Sequence, residues 1–219
     1  MVQRIIFSAA IAGLLSGSLV TIFQQAWITP LIRNAEKFEI KSTHNPKNHH
    51  HKNHPEKHFF SKTFFKTFSA NTITSISFAL LIISSSGFVK HFDTKKGFLL
   101  GIAGFVVFSL MPSIVITPKL PGDMSLPLSE HNLLWLLTTT CTAIGLLLIV
   151  LTKTFIKVFG LIILLLPHLV SLSLPESQIN NELKILQTEF HIAILITSLL
   201  FWSFLGVTSG YFFEKLNPN

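Results

Sequence analysis

LLWLLTTTCTAIGLLLIVL, residues 133–151, decides the fold. The stretch holds no Asp, Glu, Lys or Arg. As a helix rising about 1.5 Å per residue it reaches about 28 Å, close to the thickness of a bilayer's hydrocarbon core. A single charge at the centre of such a helix costs about 2.5–3.5 kcal/mol, so the absence of charge over this length is a strong signal. Working outward, equally uncharged apolar windows run over residues 5–28, 67–89, 98–116, 158–174 and 192–213. The expected fold is all-α: a polytopic transmembrane helical bundle of six spans, one membrane domain over residues 1–219, with a His-rich extramembrane loop at 41–62.

Composition agrees. Of 219 residues, 49% are hydrophobic and only 12% charged, too little charge to cover a soluble globule of this size. The lipid bilayer is therefore the first partner. The net charge of +7 does not imply nucleic acid, because eight of the 17 Lys and Arg lie between Arg33 and Lys66 and no basic recognition helix accompanies them. The single cysteine, Cys141, rules out a disulfide framework and a Cys-pair metal site and reads as a packing thiol. Arg4 and the SGS at 16–18 suggest a cleaved signal peptide, but the apolar run between them continues to Ile28, beyond the about 15 residues of that class. A retained helix is predicted. Gly13 with Gly17, and Gly206 with Gly210, have the spacing that lets helix backbones approach closely.

Short-loop charge sets the orientation. Lys90, Lys95 and Lys96 follow the second window, and Lys153 and Lys157 follow the fourth. The other two short loops carry Lys119 against Asp123 and Glu130, and Lys184 against Glu176, Glu182 and Glu189. Both termini are predicted to be cytoplasmic and the His-rich loop outside.

That loop contains HNPKNHHHKNHPEKH, residues 44–58, which holds six of the ten histidines. It is internal and interrupted, unlike a terminal tag, and Asn, Lys and Pro also suit a polar filler loop. Its imidazole density predicts metal capture, by His44, His49, His50, His51, His54 and His58. Pro46 and Pro55 disfavour one regular helix, so the tract reads as a chelating arm. Imidazole alone does not choose among cobalt, nickel, copper and zinc. Gln24, at the outer end of the first window, and Glu36 and Glu39, three apart on one helical face, form a candidate mouth for a cation; a solvated turn paired with Arg33 and Lys37 is the alternative. His168, after the helix-kinking Pro167, is a candidate ligand at membrane depth. Thr72, Thr74 and Ser75 add hydroxyls. Met111 reads as packing, and His131 and His191 as interfacial anchors. No phosphate-loop, HExxH or GxSxG signature is present, so neither an enzyme nor a bound cofactor is expected.

Ordered along the chain are QQAWITPLIRNAEKFE (24–39), the His-rich loop, GIAGFVVFSLMPSIVITPKLPG (101–122), LLWLLTTTCTAIGL (133–146), LLLPHLVSLSLP (164–175) and FHIAILITSLLFWSFLGVTSG (190–210). Together they resemble the CbtA family of cobalt transporter subunits associated with cobalamin metabolism. The resemblance implies cobalt import alongside a very small His-bearing membrane subunit, CbtB. It carries the TPLI-x-x-AE-x-x-E pattern onto Thr29, Pro30, Glu36 and Glu39, and the Pro-His pair onto Pro167 and His168. The chain departs from the family pattern at TPKLPG, with Lys119 in place of an acid, and in the LVSLSLP that follows the Pro-His pair. The expected function is uptake of a divalent transition-metal cation, cobalt first. The alternatives are a nickel or zinc transporter, an exporter of the same architecture, or a membrane scaffold or metal sensor that transports nothing.

Overall fold

In lipid a chain must satisfy its backbone hydrogen bonds internally, and helices are the simplest solution. The computed structural model describes residues 2–42, 62–88, 91–121, 127–171 and 181–216, and no strand occurs among them. The helices are α1 (Val2–Phe23), α2 (Thr29–Ser42), α3 (Lys62–Ser84), α4 (Thr94–Phe105), α5 (Met111–Val115), α6 (Leu128–Leu151), α7 (Thr154–Ser171) and α8 (Asn181–Lys215). Several are continuous with one another. Among the described residues five helical stretches are long and apolar enough to cross a membrane: Val2–Glu36, Thr63–Gly87, Thr94–Val115, Leu128–Leu151 and Leu183–Lys215. Thr154–Leu169 is a shorter apolar helix. The chain is thus a helical bundle of about six spans, as the apolar windows imply.

Two prolines explain the breaks in the long helices. A proline lacks the N–H for an α-helical bond, and its ring clashes with the carbonyl four residues back. Pro30 and Pro112 are each preceded, two residues upstream, by the end of a widened π-type turn, Gln24–Ile28 and Val106–Leu110. Each turn is closed by a backbone bond across five residues, from Thr29 N–H to Gln24 O and from Met111 N–H to Val106 O. The carbonyls that the rings would strike, of Ala26 and Phe108, fall inside the widened turns. The first helix therefore does not stop before Thr29 and Pro30 as the sequence suggests; it widens at Gln24 and continues as α2.

The chain divides into two compact units, residues 1–102 with 199–219, and residues 103–198. In the first, α1 packs along α3. A Cβ added at Gly13 would lie 2.5 Å from Ile76 Cα, and one at Gly17 would lie 2.7 Å from Thr72 Cα, so only hydrogen fits at either position. The start of α4 crosses the end of α8 through glycines on both sides. A Cβ at Gly101 would lie 3.0 Å from Gly206 Cα, and one at Gly210 would lie 2.7 Å from Thr94 Cα. Asp93 caps α4, its carboxylate accepting the Lys96 N–H at 2.8 Å, and Glu214 accepts from Thr94 N–H and Oγ1 at 3.3 and 3.2 Å. At the chain ends the Arg4 guanidinium lies 3.7 Å from the Phe213 ring centroid and donates to the Phe213 carbonyl.

In the second unit α6 begins after Pro127 with Glu130 in its first turn, where a negative charge complements the helix dipole. It ends at Leu151, and Thr152 and Lys153 lead directly into α7, making a helical hairpin. Gly145 and Gly160 meet inside it: a Cβ on Gly145 would lie 2.7 Å from the Gly160 carbonyl, and one on Gly160 would lie 2.8 Å from the Gly145 carbonyl. The sequence of α8 beyond the apolar window is helical too, so Lys184 and Glu189, read as loop charges, sit on helix.

Candidate metal-handling residues

The α1–α3 contact is apolar in composition but carries a polar seam. Gly13, Gly17, Thr21 and Gln24 recur at three- to four-residue spacing along one side of the first helix, as Asn71 and Ser75 do along α3. Asn71 Nδ2 donates to both Gln24 Oε1 at 2.7 Å and Thr21 Oγ1 at 3.0 Å. The Thr21 hydroxyl in turn donates to Gly17 O at 2.7 Å, and Ser75 Oγ to Asn71 O at 2.6 Å. The Thr72 hydroxyl, beside Gly17, is buried with no hydrogen-bond partner in the protein. Such a group costs about 1–3 kcal/mol, so the seam is more polar than packing alone requires. Thr74 is exposed and takes no part, being one residue, or about 100° of helix, off the Ser75 position.

Gln24 is held in place by the π-type turn that Pro30 imposes. Glu36 is exposed on α2, and Glu39 lies three residues on in the same helix, its side chain outside the described residues. Gln24 and Glu36 are twelve residues apart on one continuous helix, about 18 Å along its axis, and do not form one site. His168 lies in the last turn of α7, partly exposed, beside a fully buried Pro167. The histidines of the arm, His44, His49, His50, His51, His54 and His58, lie outside the described residues. Among the described residues no group of three or more His, Cys, Asp or Glu side chains is placed to hold a metal ion.

Two residues, Asn71 and Gln187, escaped the sequence reading, and His191 was read only as an interfacial anchor. Asn71, the carboxamide in FSANTITS, organises the seam, and its mid-span position was the available signal. In α8, Gln187 and His191 each carry a buried atom without a partner, Oε1 and Nε2 respectively. The Gln187 amide N–H₂ donates to the Pro118 carbonyl. Their four-residue spacing puts both on one helix face, a pattern hidden by the charged residues around them.

A family model described as "probable cobalt transporter subunit (CbtA)" matches residues 2–214, nearly the whole chain. Neither a curated protein nor a solved structure matches.

Proposed function

The chain belongs to the CbtA family of probable cobalt transporter subunits, and from that premise we propose that it admits cobalt into a prokaryotic cell through the cytoplasmic membrane. As a subunit of a transporter it works with a partner, for which we propose a small His-bearing membrane protein of the CbtB kind. In this reading both termini face the cytoplasm and the arm at 44–58 faces outward. The meeting of Arg4 with Phe213 supports an even number of crossings, because it puts the first and last helix ends together.

The arm raises the local concentration of the ion through His44, His49, His50, His51, His54 and His58. Glu36 and Glu39 supply carboxylates at the membrane edge, and Gln24 and His168 serve as polar relays within the bundle. The observation that carries the reading is the α1–α3 contact, in which Asn71 bridges Gln24 Oε1 and Thr21 Oγ1 and the buried Thr72 hydroxyl lies beside Gly17, uncharged polar groups in an otherwise apolar contact. Neutral oxygens let a dication pass where a fixed carboxylate would hold it. Two positive charges moving inward gain about 4.6 kcal/mol per 100 mV of membrane potential, enough to drive accumulation without nucleotide hydrolysis.

Radiocobalt accumulation by cells expressing the chain with its partner tests this. Uptake above control cells is expected; accumulation below control cells would make the protein an exporter. A second reading, a metal sensor or scaffold, is favoured by the lack of any three-ligand cluster among the described residues. Replacing Glu36 and His168 together separates the two, since a sensor whose metal sits only on the arm would show no change in cobalt movement.

A further inference from the structure

The buried pair on α8 belongs to no part of the path described above. Leu183, Leu186, Gln187 and Phe190 form the buried face at the start of this helix, and His191 follows Gln187 by one turn on the same face. Gln187 is only 9% exposed. Its N–H₂ group is committed to the Pro118 carbonyl, which fixes the amide and turns Oε1 the other way, where nothing in the protein donates to it. His191 Nε2 is likewise buried and unmatched. Gln187 Oε1 offers a lone pair, and so does His191 Nε2 in the tautomer protonated at Nδ1; two such atoms one turn apart on one helix face, neither supplied by the fold, suit a ligand that accepts electron pairs.

We infer that Gln187 Oε1 and His191 Nε2 form a two-ligand station for a divalent transition-metal cation. The donor set suits the mid-to-late first-row metals, an amide oxygen being hard and an imidazole nitrogen borderline. The Pro118 contact plays the orienting part that outer hydrogen bonds play at metal sites. With no carboxylate the empty station is neutral and tolerates burial, and with two protein ligands it leaves the other coordination positions to water. Such a site binds weakly and releases quickly, as an ion in transit requires. The identity of the ion as cobalt rests on the proposed transport function; the existence of the station does not.

The test uses thiolate as a reporter. In the purified full-length protein with Cys141→Ser, the further change His191→Cys is expected to give a thiolate-to-cobalt charge-transfer absorption on addition of Co²⁺. The Cys141→Ser parent, and a control carrying Glu189→Cys at an exposed position of the same helix, should lack it. Should His191→Cys fail to accumulate, Gln187→Cys, one turn away, carries the same measurement. Absence of the absorption in a well-folded variant, the result expected if ordered water fills the pair, overturns the assignment. Because the absorption is read on purified protein, cells that take up no cobalt would sink the transport reading and leave this one to the spectrum.

Discussion

Replacing Gly13 with alanine is a severe test of the α1–α3 contact. The new Cβ would sit 2.5 Å from Ile76 Cα, N and Cγ1, where carbon atoms pack at about 3.5–4.0 Å. The Cγ1 atom can rotate away, but the Cα and N are backbone, so the two helices must part by about 1 Å. A gap of that size forfeits about a quarter to a half of each contact's dispersion energy along the seam. Overpacking of this kind costs about 1–3 kcal/mol, against which alanine recovers about 0.5–1 kcal/mol of helix propensity. The net expectation is a loss of about 1–2 kcal/mol, roughly tenfold in the folding equilibrium. Gly87→Ala is the control, since nothing lies within 4 Å of a Cβ there. Unfolding of purified protein in mixed micelles by titration with dodecyl sulfate, followed by circular dichroism, measures both. A Gly13→Ala protein as stable as the Gly87→Ala protein would refute the close backbone approach.

Asn71→Leu removes two hydrogen bonds that average about 0.6 kcal/mol each in membrane proteins, so a loss of about 1 kcal/mol is expected in the same titration. In the transport assay it should also raise the cobalt concentration for half-maximal uptake, because Gln24 loses its support. Arg4→Gln forfeits the cation–π contact with Phe213, worth about 0.5–1 kcal/mol at a partly exposed site, and a stability equal to wild type would argue that the chain ends do not meet. Deleting residues 44–58 should raise the half-saturating cobalt concentration without abolishing uptake; complete loss would make the arm an obligatory site and contradict simple capture.

The membrane class was legible because it rests on a quantity that tolerates coarse reading, the length of uncharged apolar sequence. Residues 133–151 alone imply a span, and α6 covers them. The glycine pairs were legible as packing sites for a similar reason, although the match of Gly97 and Gly101 with Gly206 and Gly210 depends on three-dimensional pairing that spacing does not encode. Helix ends were harder. Pro30 looks like a stop, and only the wide turn at Gln24–Ile28 lets the helix pass it. Lys184 and Glu189 look like loop, yet a helix can leave the bilayer with its charges exposed and remain helical. Among the candidate metal residues, Gln24 was chosen for its place near a membrane edge, while its actual partner, Asn71, lies 47 positions away in sequence. Gln187, and its relation to the His191 read as an interfacial anchor, were obscured because an unmet hydrogen bond is a property of the folded surroundings and leaves no trace in composition.

The first compact unit is assembled from both extremities of the polypeptide, residues 1–102 and 199–219, with 103–198 in between. During synthesis the glycine face of α4 therefore has no mate until Gly206 and Gly210 leave the ribosome. Residues 103–198, contiguous in sequence, are all made before then. Insertion should accordingly be followed by a late closure, in which α8 docks on α4 only once Gly206 and Gly210 have emerged. Loss of even the last twenty or so residues would leave the N-terminal helices in the bilayer as an unfinished half, an easy mark for membrane proteases.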